Sequence, residues 1–278
     1  MRGHVFLKAC PIGILLAVQT PPVSSHAQQT SCAAPAVEVA PKPGGQQVVS
    51  IHSPCRKGEL VIGRYGEIVI MDRLDQSGNL AFQLDCFLGD REVTLTFADN
   101  QRATNHACAT AESALTKVAI VWQDHVDLDL HAFEYAALPD SAYDRSARNP
   151  GSYQAAQSEF VQSGRSHGFM STVSDGQQLG HNIEVYTLPR HPAELRGLIA
   201  MAVGLGANDD AANTGSCSND RRKSLRVDID VYVLDPGMKL RSYERTFAAT
   251  PCDSAAPRFV TNLVPNIVLG IAGAANAP

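Results

Sequence analysis

Two aspartates and a histidine occupy alternate positions in VDLDLHAFEY, residues 126–135. In a β-strand, alternate side chains point to one face and lie about 7 Å apart, so Asp127, Asp129 and His131 would share a face. Joined by Asp124 from the preceding turn, the carboxylates could hold calcium through oxygen ligands. With His131, they could instead hold zinc or another transition metal. The pattern therefore defines a candidate metal site.

Two structural interpretations compete with the metal site. In the first, the aspartates simply belong to a solvated strand face, where water screens their like charges. In the second, Asp127 or Asp129 accepts hydrogen bonds from adjacent loop backbone and fixes a corner of the fold. Leu128, Leu130 and Ala132 lie on the opposite face and fit a core.

No catalytic residue is predicted from the sequence. The segment SHGFMSTVSDGQQLGH, residues 166–181, gathers serine, histidine and aspartate but contains no G-x-S-x-G nucleophile elbow. Its density of Gly, Ser and Asp predicts a loop. One histidine beside two acids, without a nucleophile or an oxyanion donor, makes a poor catalytic set.

The start of the chain has the layout of a secretory signal peptide. Arg2 and Lys8 precede and interrupt a short apolar core, and Ser25-His26-Ala27 supplies small residues for cleavage before Gln28. The sequence thus predicts residues 1–27 as a signal peptide, a periplasmic or secreted location and no membrane span in the mature chain. Without Arg2 and Lys8, 21 basic residues face 28 acidic ones, a net charge of −7 that opposes nucleic-acid binding.

The cysteine count fits an oxidising compartment. Six of the seven lie in the mature part, and none forms a CxxC pair, which favours structural disulfides over metal or redox chemistry. These cysteines are Cys32, Cys55, Cys86, Cys108, Cys217 and Cys252.

Alternating hydrophobic patterns predict an all-β fold with two immunoglobulin-like β-sandwich domains. Residues 28–47 read as a flexible leader, residues 48–110 as a small disulfide-linked sandwich and residues 114–272 as a second one. KVAIVWQ has the continuous apolar character of a central strand. In LRVDIDVYVL the pattern places Leu225, Val227, Ile229, Val231 and Val233 inward and Arg226, Asp228, Asp230 and Tyr232 outward. SYQAAQSEFVQSG could form a short helix or a loop.

Two short motifs resemble known exported proteins. VAIVWQDHVDLDLHAFEY followed by GHNIEVYTLP resembles β-sandwich domains of exported bacterial proteins that share a DLDLH-type strand and an E-V-Y-T strand. The order of SPCRKGELV, LDQSGNL, EVYTLP, SCSNDR and TPCDSAAPRFVTNLV is similar to a group of uncharacterised exported alphaproteobacterial proteins. Some members carry the label translocase, which no residue here supports. The resemblance implies a fold and a compartment but no activity.

The expected function is a non-catalytic binding or assembly module of the cell envelope, with an envelope protein or a glycan as partner. This expectation rests on analogy with other β-sandwiches. It implies no cofactor, with calcium as the one candidate. The alternative is a calcium- or zinc-dependent envelope protein, possibly a hydrolase, centred on Asp127, Asp129 and His131.

The resemblance also implies disulfide pairings of Cys32 with Cys55 and Cys217 with Cys252, which leaves Cys86 with Cys108. Each bond that closes a loop of some 20 residues would stabilise the fold by about 3 kcal/mol. Peptide mapping under non-reducing conditions should recover these three pairs. Free thiols, or a peptide that joins Cys86 to Cys217, would contradict the pairing.

Overall fold

The computed structural model describes residues 32–106, 108, 114–123, 126–163, 165–174, 182–190, 192–205, 225–249 and 259–270. The predicted signal peptide, Asp124, Cys217 and Cys252 lie outside these residues. Contacts divide the chain into Met1–Cys32 and Ala33–Pro278, and every element below belongs to the second unit.

The described residues are mostly β-strand, which confirms the all-β prediction. The first part of the chain forms β1 (Ala36–Lys42), β2 (Gln46–His52), β3 (Leu60–Tyr65), β4 (Ile68–Arg73), β5 (Asn79–Asp85), β6 (Val93–Thr96) and β7 (Arg102–Asn105). The remainder forms β8 (Thr116–Trp122), β9 (Leu128–Glu134), β10 (Asp144–Arg145), helix α1 (Tyr153–Ser163), β11 (Phe169–Ser174), β12 (Asn182–Leu188), a 3-10 turn (Pro192–Glu194), β13 (Gly197–Leu205), β14 (Leu225–Asp235), β15 (Lys239–Ala249), β16 (Phe259–Thr261) and β17 (Ile267–Leu269).

These strands pair into antiparallel sheets. The central sheet has the order β11-β12-β8-β14-β15, and the outer sheet has the order β10-β9-β13-β16, with β17 also paired to β13. The first part of the chain contributes a hairpin sheet, β1-β2-β5, and a small sheet, β4-β3-β6-β7. As the sequence predicts, the apolar strand β8 lies in the middle of the central sheet.

The central sheet is buried on both faces. Val118 and Ile120 of β8 point into a sandwich core shared with the outer sheet, where they meet residues such as Leu130. Ala119 and Val121 point the other way, into a second core formed with the hairpin and small sheets. The two predicted domains therefore share a continuous core rather than each enclosing its own, and every residue of β8 is buried.

Strand β14 shows the consequence of this second cover. Val227, Ile229, Val231 and Val233 lie in the sandwich core, as predicted from their alternation. Tyr232 was predicted to face outward, but it is only 8% exposed and its ring lies 5.6 Å from that of Phe87. The outward face of β14 is covered at this point by the first part of the chain.

Two other segments differ from the sequence prediction. Ala36–Lys42, within the predicted flexible leader, forms β1 and pairs along its whole length with β2. Val37 and Val39 of β1 pack against the second core, which explains why it is ordered. Phe169–Ser174, within the predicted loop, forms β11, the edge strand beside β12. SYQAAQSEFVQSG does contain a helix, α1, whose first turn is capped by the Ser152 hydroxyl.

The turn between β1 and β2 requires glycine. Gly44 and Gly45 have φ values of 78° and 67°, in the left-handed region that glycine adopts without strain. A Cβ on Gly44 would lie 2.4 Å from the ring of Phe169. The turn can therefore pack closely against the central sheet, where the Gly44 carbonyl accepts a hydrogen bond from Lys117.

Disulfides reinforce the first part of the chain. Cys86 and Cys108 form a disulfide, which confirms that predicted pair, and both residues are fully buried. Cys32 and Cys55 are also disulfide-bonded. Disulfides persist outside the reducing cytoplasm, so the protein belongs to an oxidising compartment.

A buried ion pair joins the two parts of the chain. Lys117 of β8 and Asp85 of β5 are 1% and 0% exposed, and Lys117 Nζ lies 2.7 Å from Asp85 Oδ1. The ammonium also donates to the Gly44 carbonyl and to Thr187 Oγ1, and Ser171 Oγ donates to Asp85 Oδ2. These hydrogen bonds offset the cost of removing two charges from water.

We expect Lys117→Met to lower the free energy of unfolding by about 3–5 kcal/mol, because the Asp85 carboxylate would stay buried without its cation. The double variant Lys117→Met/Asp85→Leu should recover most of this loss, since apolar side chains of similar volume replace a buried ion pair well. Urea unfolding with an unchanged m value measures both effects. Lys42→Met, at an exposed lysine, is the control. Equal losses in Lys42→Met and Lys117→Met would contradict the assignment.

Candidate functional site

Strand β9 carries the predicted candidate residues on one face. It pairs with β13 along its whole length and with β10 only through Phe133 and Ala132. Leu128, Leu130 and Ala132 point into the sandwich core, as predicted. Asp129 and His131 therefore lie together on the opposite face, whereas Asp127 precedes the strand and is exposed.

His131 lies between two carboxylates. Its Nδ1 is 2.7 Å from Asp144 Oδ1, and its Nε2 is 3.4 Å from Asp129 Oδ2. The ring is 6% exposed and packs edge-on against Phe259, with ring centroids 4.8 Å apart. Asp144 lies in β10, 13 residues further along the chain, and β10 pairing brings it beside β9.

The two carboxylates hold His131 in its charged form. Burial by itself would lower the pKa of His131, but the hydrogen bonds to Asp129 and Asp144 outweigh it and raise the pKa to about 9. Burial likewise opposes ionisation of Asp129, yet its bonds to His131 and the Ala147 backbone leave the pKa of Asp129 lowered. At neutral pH this group is an ion triad of one imidazolium and two carboxylates.

This geometry favours a structural role over metal binding. A metal ligand must be a neutral imidazole with a free nitrogen lone pair, whereas both nitrogens of His131 face carboxylate oxygens. Within the described part of the chain, no three His, Cys, Asp or Glu side chains gather around a common point that could hold a metal ion. Asp124, the remaining predicted ligand, lies outside that part.

The second structural interpretation is confirmed for Asp129. Its Oδ1 accepts a hydrogen bond of 3.1 Å from the backbone N–H of Ala147, in the loop that follows β10. Asp144 Oδ2 similarly accepts from the backbone N–H of Asp140. The triad therefore ties the segment 140–147 to the face of the outer sheet.

Glu134, at the end of β9, forms a second buried centre that was not predicted. Its side chain is 1% exposed. Oε1 accepts from the Tyr186 hydroxyl at 2.8 Å and from the Gly168 backbone N–H at 2.6 Å, and Oε2 lies 2.6 Å from His167 Nδ1. Arg145 Nε is 3.4 Å from the same Oε2. Glu134 thus links β9, β10, β12 and the segment that leads into β11.

The centre is closely packed. A Cβ on Gly168 would lie 2.3 Å from the ring of Tyr186, so only glycine fits beside this tyrosine. Tyr143 stacks on His167 with ring centroids 4.7 Å apart, and Tyr135 meets the same ring edge-on. His167 Nε2 lies 3.5 Å from Glu159 of helix α1, so this histidine also faces carboxylates at both nitrogens.

The E-V-Y-T motif in β12 makes the contacts that join it to β9. Glu184 accepts a hydrogen bond from the Leu130 backbone N–H, Tyr186 donates to Glu134, and Thr187 accepts from Lys117. Burial, together with the negative charges of Asp129 and Asp127, raises the pKa of Glu184 to about 8. The two motifs on which the family resemblance rests therefore contact each other across the sandwich core.

One sequence signal could have identified these residues. Glu184 and Tyr186 are polar side chains at the inward positions of β12, where Leu188 follows at the same spacing. Buried polar groups are almost always hydrogen-bonded, so their positions imply partners on the facing strand. The identity of those partners depends on the pairing of β9 and β10, which local sequence does not encode.

The loop after β9 is conformationally strained. Tyr135, Ala136 and Asp140 have φ values of 54°, 62° and 61°, which non-glycine residues rarely adopt. The Tyr135 N–H donates to the Leu198 carbonyl, and the Tyr135 hydroxyl donates to the Ser166 carbonyl. These contacts offset the strain and hold the loop over the Glu134 centre.

Comparisons with known proteins identify no family for this chain: no family model matches its sequence, and no curated protein does. The resemblance to exported β-sandwich proteins therefore stays a prediction. In the part of the chain that the structure describes, none of the helices has the length and apolar character needed to span a bilayer.

The His131 triad predicts a pH-dependent stability. Because the folded pKa of about 9 exceeds the unfolded value of 6.5, the contribution is complete below pH 6.5 and disappears as pH rises through 9. Neutral His131→Gln should lower the free energy of unfolding at pH 6 by about 2–3 kcal/mol, allowing for solvent screening. Above pH 9.5 the variant and the parent should converge.

Urea unfolding at several pH values measures this difference. His106→Gln serves as the control because His106 is an exposed histidine beside Glu92, and it should follow the parent throughout. A constant difference between His131→Gln and the parent from pH 6 to pH 9.5 would show that the imidazolium does not contribute.

Proposed function

We propose that the protein is an exported, non-catalytic binding or assembly module of the cell envelope. The state of His131 is the observation that carries the non-catalytic part. With a pKa of about 9 the imidazole is protonated at neutral pH, so it can neither accept a proton as a general base nor ligate a metal. Asp129 is committed to the same triad, and the DLDLH and E-V-Y-T strands serve as scaffold.

Several features support the envelope location. The disulfide between Cys86 and Cys108 fits an oxidising compartment, and the N-terminal sequence has the layout of a signal peptide. The family resemblance points to the periplasm or the exterior and to immunoglobulin-like sandwiches. Such sandwiches often act by binding, so an envelope protein or a glycan is the expected partner.

The alternative function is a calcium- or zinc-dependent one, and one observation favours it. The charges of Asp129 and Asp127 both raise the pKa of Glu184, so three carboxylates lie near one another around the start of β9. A cation placed there would relieve their repulsion. Asp127 is exposed and therefore accessible to such an ion.

A thermal melt distinguishes the two functions. The mature protein is dialysed against chelator and melted with and without added calcium or zinc. We expect no shift in Tm from either metal. A bound ion at 100 times its Kd would stabilise the fold by about 2.7 kcal/mol, and Asp127→Asn would abolish that shift. Asp127 is the right position because, unlike Asp129, it takes no part in the His131 triad.

The binding role is tested by capture and reconstitution. Tagged mature protein should retain a partner from its own envelope fraction, and the purified partner should then bind it with a measurable Kd. A β-sandwich of similar size and charge serves as the control bait. Hydrolytic turnover that is lost in Asp129→Asn, but kept in exposed variants such as Glu38→Gln, would show that the proposal is wrong.

A further inference from the structure

The outward face of the central sheet is open at one end. The first part of the chain covers this face around Tyr232 and Val121, but Arg226 and Asp228 of β14 remain exposed beyond that cover. A groove of about 600 Å³ lies there, bounded by Glu67 and Ile68 of the β3–β4 turn, by the end of β8 and by β14 and β15. It is an open trough rather than an enclosed cavity.

Acidic side chains outnumber basic ones along this groove. Its walls carry Glu67, Asp228, Asp230 and Glu244 against Arg226 and Arg245. Arg226 Nε lies 3.4 Å from Asp228 Oδ1, so these two charges largely cancel. The Arg245 guanidinium lies over the Tyr243 ring, 5.1 Å from its centroid. The remaining excess is negative.

Two of the acids occupy an unfavourable position. Asp230 of β14 and Glu244 of β15 are paired directly opposite each other in the strand register. Like charges at such positions repel and destabilise a sheet. A positive group bound between them would remove this repulsion, so the pair gains most when a cationic ligand is present.

Tyr232 provides an independent feature of the same groove. It is 8% exposed and lines the groove, and its hydroxyl has no hydrogen-bond partner among the described residues. Burial and the negative charges of Asp230, Glu67 and Glu244 raise the pKa of Tyr232 to about 12. The hydroxyl therefore stays protonated, and its oxygen offers a neutral acceptor next to carboxylates.

We propose that this groove binds a basic segment of a partner protein, with a lysine or arginine side chain donating to the Tyr232 hydroxyl between Glu67, Asp230 and Glu244. An ammonium or guanidinium group supplies the hydrogen-bond donors and the positive charge that these groups lack. The open trough suits an extended chain better than a small free cation. This inference rests on the proposed binding function and names the chemistry of its partner.

The test uses the mature protein with intact disulfides and three labelled peptides of equal length, rich in lysine and arginine, in glutamate, or in serine and glycine. Fluorescence anisotropy should show binding of the basic peptide alone, weakened as salt rises because the site is exposed. Glu67→Gln/Glu244→Gln should weaken that binding by roughly five- to tenfold. Tyr232→Phe, which removes only the hydroxyl, should weaken it by about three- to tenfold.

A matched control separates the groove from the overall negative charge. Glu38→Gln/Glu194→Gln removes the same charge at two exposed positions that do not line the groove, and it should bind like the parent. Equal weakening in the two double variants would overturn the proposal, since it would show only non-specific attraction. Spermidine that competes as tightly as the basic peptide would also overturn it, because the occupant would then be a small cation.

Failure of this proposal remains distinguishable from failure of the proposed function. An envelope partner captured equally by the parent and by Glu67→Gln/Glu244→Gln would keep the binding function and place its contact elsewhere. That result would reject the groove as the contact site.

Discussion

The burial of both faces of β8 is the constraint on which the rest of the structure depends. A strand whose alternate residues are all apolar loses stability wherever one face meets water, so it needs a cover on each side. The outer sheet covers the face of Val118 and Ile120, and the first part of the chain covers the face of Ala119 and Val121. The two predicted domains are thus the two covers of one sheet.

This double burial leaves few places for polar groups, and those present fix how the layers meet. Lys117 sits at the end of the buried strand and requires Asp85 from β5, which fixes the first part of the chain against the central sheet. On the other side, Glu184 and Tyr186 reach across the sandwich core to β9. Hydrophobic contacts alone tolerate sliding, whereas buried hydrogen bonds are satisfied in one arrangement only.

The same economy separates scaffold from surface. His131, His167, Asp129 and Glu134, which as residue types would suit chemistry, are used inside the molecule to hold loop segments over the outer sheet. The charged residues of β14 and β15 beyond the cover of the first part have no such duty as a group. Recognition therefore has room at the open end of the central sheet, where the strands continue past the layer that buries them.

The sequence by itself determined the periodic features. Alternation in LRVDIDVYVL placed Ile229 and its neighbours inward, the apolar run of β8 marked a central strand, and DLDLH placed Asp129 and His131 on one face. Only the tertiary structure brought Asp144 to His131, covered Tyr232 and turned part of the expected leader into β1. The physical reason is that periodicity reports which face of a strand avoids water, while partners such as Lys117 and Asp85, 32 residues apart, meet only once the sheets have packed.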